Sequence, residues 1–410
     1  MKKWYIIILP ALQLLLPACN QNKQSDKQQS QEQRQDNYAA DRTVLLKADS
    51  TLLELKSSDG NARLLLSPKY QGRVMTSTAR GDSGRSYGWL NYSLLESGSF
   101  LPQFNPVGGE ERFWMGPEGG QYSLFFKSGD SFDIKHWQVP AWLDTLPFAV
   151  RGHNDSSASF AYDARFTNYK GIAFSLDINR TVEMLNRTEL SNRLGITLPD
   201  SIDVVGYQSR NLVKNTGRNP LTKDNGLVSV WLLGMFKPSP QTVAILPFRN
   251  IKHARSYITD NYFGSVPPQR LKVKDSIIVF TCDGKWRSKI GLSPRVAKDF
   301  VGSFDFKNNI LTLLQGAPDS TKPYVNSQWK IQEEPYQGDA LNAYNDGPLA
   351  DGKQMGPFYE LETSSPALEL GSGQGLEYRQ LTCHLSGSYE ALRAIALKVL
   401  NIDLNDIATH

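Results

Sequence analysis

The run "GIAFSLDIN", residues 171–179, alternates without a break: Ile172, Phe174, Leu176 and Ile178 fall on one side of an extended chain, and Ala173, Ser175, Asp177 and Asn179 on the other. A period of two is the mark of a half-buried strand, because successive side chains of a strand point to opposite faces. Similar runs follow one another from about residue 43, among them "LVSVWLLGMF", "TVAILPF", "SIIVFTC", "ILTLLQ", "FYELETSS" and "GLEYRQLTCHL", with Gly, Pro, Asn or Asp near their ends. A helical stripe of useful length comes only at "SYEALRAIALKVL", residues 388–400, where Leu392, Ile395, Ala396, Val399 and Leu400 share one face. Alternating strands need a second layer over their apolar faces, so the expected architecture is all-β: a large antiparallel sandwich closed by a C-terminal helix. No repeat period stands out, which argues against a propeller. With 40% hydrophobic residues in a chain of 410, there is enough apolar surface for a large core. The net charge of +4 gives no reason to expect a nucleic acid partner.

The chain opens differently. In "MKKWYIIILPALQLLLPACN" a basic start precedes an apolar run ending in Leu16-Pro17-Ala18-Cys19. That layout is a cleaved export signal, too short and wrongly flanked for a membrane span. A small residue directly before the Cys is similar to the bacterial lipoprotein signal, in which the Cys, here Cys19, is lipidated after removal of residues 1–18. Residues 19–42 are polar and Gln-rich, cannot bury enough surface to offset ordering, and read as a disordered tether. The folded domain is expected over 43–410. No acidic block follows Cys19, so the expected place is the cell envelope, lipid-anchored at the outer membrane and facing the periplasm.

Candidate chemistry lies in several places. "PVGGEERFWMGPEGGQYSLFF", residues 106–126, brackets Arg112, Trp114 and Glu118 with two glycine pairs. A sugar is apolar on its faces and polar round its rim, so Trp114 suits stacking while Arg112 and Glu118 suit hydroxyls or a carboxylate. The alternative is an Arg112–Glu118 pair beside a core Trp114. Glu360 and Glu362 share one face of a strand roughly 7 Å apart, a spacing that disfavours double ionisation and suits general acid or base work. On the next strand Tyr378, Gln380, Thr382 and His384 share a face, with a solvated sheet face as the alternative. His136, Trp137 and Trp142 form a second aromatic-polar cluster, either cleft wall or core edge. Lys289 and Arg295 flank the turn "IGLSP", as ligand contacts or a solvated turn. Cys282 and Cys383 lie in strand-like runs and are either buried thiols, a disulfide or a reactive site. The five histidines have no metal-ligand spacing, and neither a metal nor a cofactor is expected. "RGDSGRSYG" lacks the continuation and the partner His of a serine-protease loop. "GSGQG" precedes a strand, so it has no helix N-terminus to hold phosphate.

The series Leu361-Glu362-Thr363, Pro366, a turn around Gly371 to Gly375, Glu377-Tyr378 and Thr382 resembles the last strands of galactose mutarotase and its aldose-epimerase relatives. That resemblance implies a galactose-mutarotase-like β-supersandwich, in which Glu362 is the base that takes the anomeric hydroxyl proton. Gly108-Gly109, Arg112, Trp114, Pro117 and Glu118 are similar to an element of mutarotase-like proteins, with one extra residue between Gly109 and Arg112. The mature chain as a whole resembles a family of bacterial lipoproteins grouped with that fold. It departs from true mutarotases where an Asn-His-x-Tyr-Phe segment supplies the general acid, because the counterpart "GLVSVWLLGMF" has no His. His136, Lys289 and Glu118 are candidate donors by residue type. The expected function is action on, or binding of, a periplasmic carbohydrate, by epimerisation or glycosidic cleavage. A non-catalytic glycan-binding or envelope scaffold lipoprotein is the alternative.

Overall fold

A computed structural model describes residues 36–349 and 351–408. The expected signal at 1–18, Cys19 and most of the expected tether lie outside the described residues. The strands pair antiparallel into three sheets. Ten form the largest, in the spatial order Leu271–Lys274, Ile277–Thr281, Thr242–Pro247, Phe300–Asp305, Ile310–Gln315, Gly375–Ser386, Asp203–Asn215, Ala173–Met184, Ser157–Thr167 and Ala149–His153. Six form the sheet that carries the candidate site: Ile258–Thr259, Ser288–Leu292, Leu341–Asn345, Tyr359–Ser364, Ser229–Phe236 and Arg112–Gly116. A three-stranded sheet of Leu53–Lys56, Arg63–Ser67 and Arg73–Thr78 completes the set.

The expected alternation is present: Phe174, Leu176 and Ile178 are buried along the strand Ala173–Met184. The same phase continues through Arg180, a charge at an interior position. Arg180 bonds Glu111 at 2.7 Å and Asn211 at 2.7 Å, and Glu111 also accepts from Gln380 at 2.7 Å. Arg180 and Glu111 are both fully buried, so each charge is neutralised where water cannot help. Thr363 donates to Gln380 at 2.6 Å, linking the six-stranded sheet to the ten-stranded one across this polar interior.

On the far face of the ten-stranded sheet lies the C-terminal helix, Tyr389–Leu400. Leu392, Ile395, Ala396 and Leu400 pack with Val243, Ile245, Leu311, Leu313 and Cys383, as the stripe implies. Cys383 is buried there, and Cys282 is buried in a different apolar cluster. Both thiols are free, so neither disulfide nor reactive thiol is formed; burial pushes both up from the usual thiol range.

One boundary differs from expectation. Residues 38–42, read as tether, begin a helix, Tyr38–Ala48, whose buried residues are Tyr38, Asp41, Val44 and Leu45. These positions make a helical stripe, but one member is an acid that pairs with Lys237 at 3.1 Å. A charge in the stripe hides it from a hydrophobicity reading.

Candidate functional site

Strand register assembles the site. Arg112 lies opposite Leu233, Leu233 opposite Glu362, Glu362 opposite Asn342, and Asn342 opposite Gly291. One step along, Met235, Glu360, Tyr344 and Lys289 form the next row. Paired residues of antiparallel strands point to the same side, so Arg112, Glu360, Glu362 and Lys289 share one face. Leu361 and Thr363 occupy the other, toward the ten-stranded sheet. Residues some 250 positions apart therefore converge, as the sugar-site expectation requires.

The charges are paired. Arg112 Nη2 donates to Glu360 Oε1 at 3.2 Å, and Lys289 Nζ donates to Glu362 Oε2 at 2.8 Å. Trp231 Nε1 donates to the same Glu362 oxygen at 2.8 Å. Glu362 is 0% and Glu360 6% exposed, so this is a covered site. Among the described residues, Arg112 Nε and Nη1 and Glu362 Oε1 have no hydrogen-bond partner. Burial pushes the Glu360 carboxyl up to about 8, with Arg112 opposing the shift and the neighbouring Glu362 charge adding to it. Burial likewise lowers the Arg112 guanidinium and raises Glu118, whose carboxyl senses Lys289 and Glu362 and faces the indoles of Trp329 and Trp137. Asp339 is raised by burial to about 6; it accepts from Tyr262, whose ring lies 5.5 Å from Lys289 Nζ.

Aromatic side chains wall this face. Trp137 stacks on Trp329 at 5.9 Å and on Phe125 at 6.3 Å, and both tryptophans are half-buried. Trp114 takes a different place from the expected stacking surface. It is 3% exposed, its Nε1 donates to Leu143, and the Arg112 guanidinium covers its ring at 4.1 Å. A face already occupied by a cation cannot receive a sugar ring. Trp142 belongs to the core edge, stacked on Phe166 at 5.6 Å.

The glycine pairs in residues 106–126 have steric causes. A Cβ on Gly108, at φ +100°, would stand 2.0 Å from the Trp89 carbonyl oxygen, and one on Gly119 would stand 2.4 Å from that of Gln328. The segment also turns two ways. Glu110 and Glu111 bond the interior residues His384 and Arg180, whereas Arg112 and Glu118 reach the Glu362 face.

Three candidates lie elsewhere. His384 is buried between the sheets, bonded to Thr312 at 2.9 Å and Glu110 at 3.1 Å and stacked on Tyr87. The alternation placed it correctly with Tyr378, Gln380 and Thr382, but that face turns inward. His136 is exposed and bonds Asp133 at 2.8 Å, and Arg295 is exposed and donates to the Tyr257 hydroxyl at 2.9 Å. Glu118, Lys289 and Trp137 do join Glu362. Residue-level reading missed Trp231, Trp329, Tyr262 and Asp339. Trp231 stands in the run that lacks the mutarotase His, and it alternates in phase with Leu233 and Met235, but only the pairing opposite Trp114 and near Glu362 shows its role.

The sequence profile of the Family of unknown function (DUF6786) matches residues 36–410. The chain belongs to the DUF6786 family. No curated protein matches it. Solved structures similar to this DUF6786 protein include the Slr1438 protein from Synechocystis sp. PCC 6803, at 12% identity and a TM-score of 0.48, covering 82% of this chain and 96% of that one. A galactose mutarotase-like protein from Lactobacillus casei ATCC 334 is 11% identical with a TM-score of 0.44, covering 82% and 99%. A galactose mutarotase related enzyme from Lactobacillus acidophilus is 10% identical with a TM-score of 0.45, covering 82% and 97%.

Proposed function

We propose that this DUF6786 protein binds a saccharide on the outer face of its six-stranded sheet and transfers protons at the anomeric centre. The observation that carries the reading is the convergence of Glu360, Glu362, Arg112 and Lys289 under a wall of Trp137, Trp231 and Trp329. Two neighbouring carboxyls take different tasks. Glu360, whose carboxyl burial and the neighbouring Glu362 charge push upward against the Arg112 pairing, is the donor to the ring oxygen. Glu362, held by Lys289 and Trp231 through one oxygen, has Oε1 free to take the proton from the anomeric hydroxyl. The C–O ring bond breaks as the carbonyl forms, and reclosure on the other face inverts the centre. Glu360 thereby fills the acid role that the missing histidine leaves open.

Saturation-transfer NMR of residues 36–410 with mono- and oligosaccharides tests binding, and exchange NMR tests anomeric interconversion. Glu362→Gln is expected to slow exchange at least about a hundredfold while retaining binding. Trp329→Ala is expected to weaken binding about tenfold. The complete burial of Glu362 favours a second reading, in which the two ion pairs brace a non-catalytic envelope protein; absence of any saccharide contact would support it. We also propose the lipid-anchored envelope location, resting on the basic start, the apolar run and Cys19. Fatty-acid labelling that persists in Cys19→Ser would overturn it.

A further inference from the structure

The Glu360–Lys289 row does not end at the paired charges. Tyr344 lies between Lys289 and Glu360 in the register, and its hydroxyl accepts from Arg287 Nε at 3.3 Å while donating to Asp346 at 2.6 Å. Arg287 stands two residues before Lys289, so it continues the same face about 7 Å further along the strand direction. Its guanidinium packs over the Phe263 ring at 4.0 Å, and Phe263 meets Tyr344 edge-on at 5.9 Å. Phe263 is 47% exposed, so part of its side chain stays open to solvent beside the guanidinium and Tyr344. Tyr262, its neighbour in the chain, reaches over Lys289. One loop therefore contributes to the acid pair and to the surface beyond it. The Arg287 Nε carries the bond to Tyr344, and the guanidinium also attracts the Asp346 carboxyl.

We infer that the site takes an acidic oligosaccharide: a first ring beside Glu360 and Glu362, and a second ring against the part of Phe263 that Arg287 leaves uncovered, with its anionic group on the Arg287 guanidinium. This rests on the saccharide reading above and specifies the substrate class of that site. An aromatic face beside guanidinium donors matches a sugar ring bearing a carboxylate or sulfate, since stacking suits the C–H face and the fork suits the oxyanion. A neutral monosaccharide would use neither group.

A binding panel of neutral, uronate-bearing and sulfated sugars, each as monomer and trimer, tests this on residues 36–410. The expected result is at least tenfold tighter binding of an acidic trimer than of its monomer or of neutral trimers. Uronate or sulfate preference then identifies the oxyanion. Phe263→Ala is expected to remove most of the trimer advantage, weakening trimer binding far more than monomer binding. Arg287→Gln is expected to bring acidic trimers to the level of neutral ones, with unchanged melting temperature showing that the fold is intact. Equal binding of monomer and trimer, a neutral preference, or unaltered trimer binding by both variants would overturn the inference while leaving the saccharide site standing. Failure of every sugar to bind would remove both.

Discussion

At the scale of single residues, the Lys289–Glu362 pair shows what burial does to a charge. Lys289→Met strands a carboxylate that is 0% exposed, and leaving a buried charge unpaired costs about 3–5 kcal/mol. Urea unfolding should register that loss, and Lys289→Met combined with Glu362→Gln should recover most of it. Glu360 gives a prediction with a definite sign. Its folded-state pKa, about 8, exceeds its ordinary value of 4.5, so the native state binds the extra proton between those limits. Its contribution to stability is fully present below about pH 4.5 and is lost as pH rises through about 8. Glu360→Gln should flatten the fall in melting temperature between about pH 7 and 8, where Asp339, raised only to about 6, is already mostly ionised. The cysteines test the interior: neither thiol should react with an aromatic disulfide reagent until the protein is unfolded in urea, when both should.

At the scale of elements, the helix Tyr38–Ala48 is part of the folded domain. Tyr38 and Leu45 pack with Leu65, Met75 and Leu90, and Asp41 pairs with Lys237. Burying two large side chains is worth roughly 3–6 kcal/mol. A chain starting at residue 49 should therefore lose at least about 3 kcal/mol relative to one starting at 36, measured by urea unfolding. The helix Arg187–Leu194 depends on a different device, a capping box between Asn186 and Glu189. Strands with clean alternation and the amphipathic C-terminal helix were legible, because their periods report one buried face each. The first helix was not, because Asp41 occupies its buried stripe.

At the scale of the molecule, a polar layer joins the sheets. Arg180, Glu111, Gln380 and Asn211 satisfy one another in the interior. Arg180→Met should cost about 3–5 kcal/mol by stranding Glu111, more than most single apolar truncations nearby. The layer also separates two faces that look alike in sequence: the His384 face turns into the sandwich, and the Glu362 face turns away from it under the aromatic wall.

Sequence alone determined the strand periods, the terminal helix and the shared face of Glu360 and Glu362, because these depend on neighbours two to four residues apart. It also offered Arg112, Glu118 and Lys289 as candidates, alongside His136, Arg295 and His384, which the structure places elsewhere. Which side of each sheet points outward, that Arg112 rather than a sugar covers Trp114, and that Trp231 and Lys289 grip Glu362 depend on strand register across hundreds of residues. Pairing of distant strands sets that register, and no local pattern contains it.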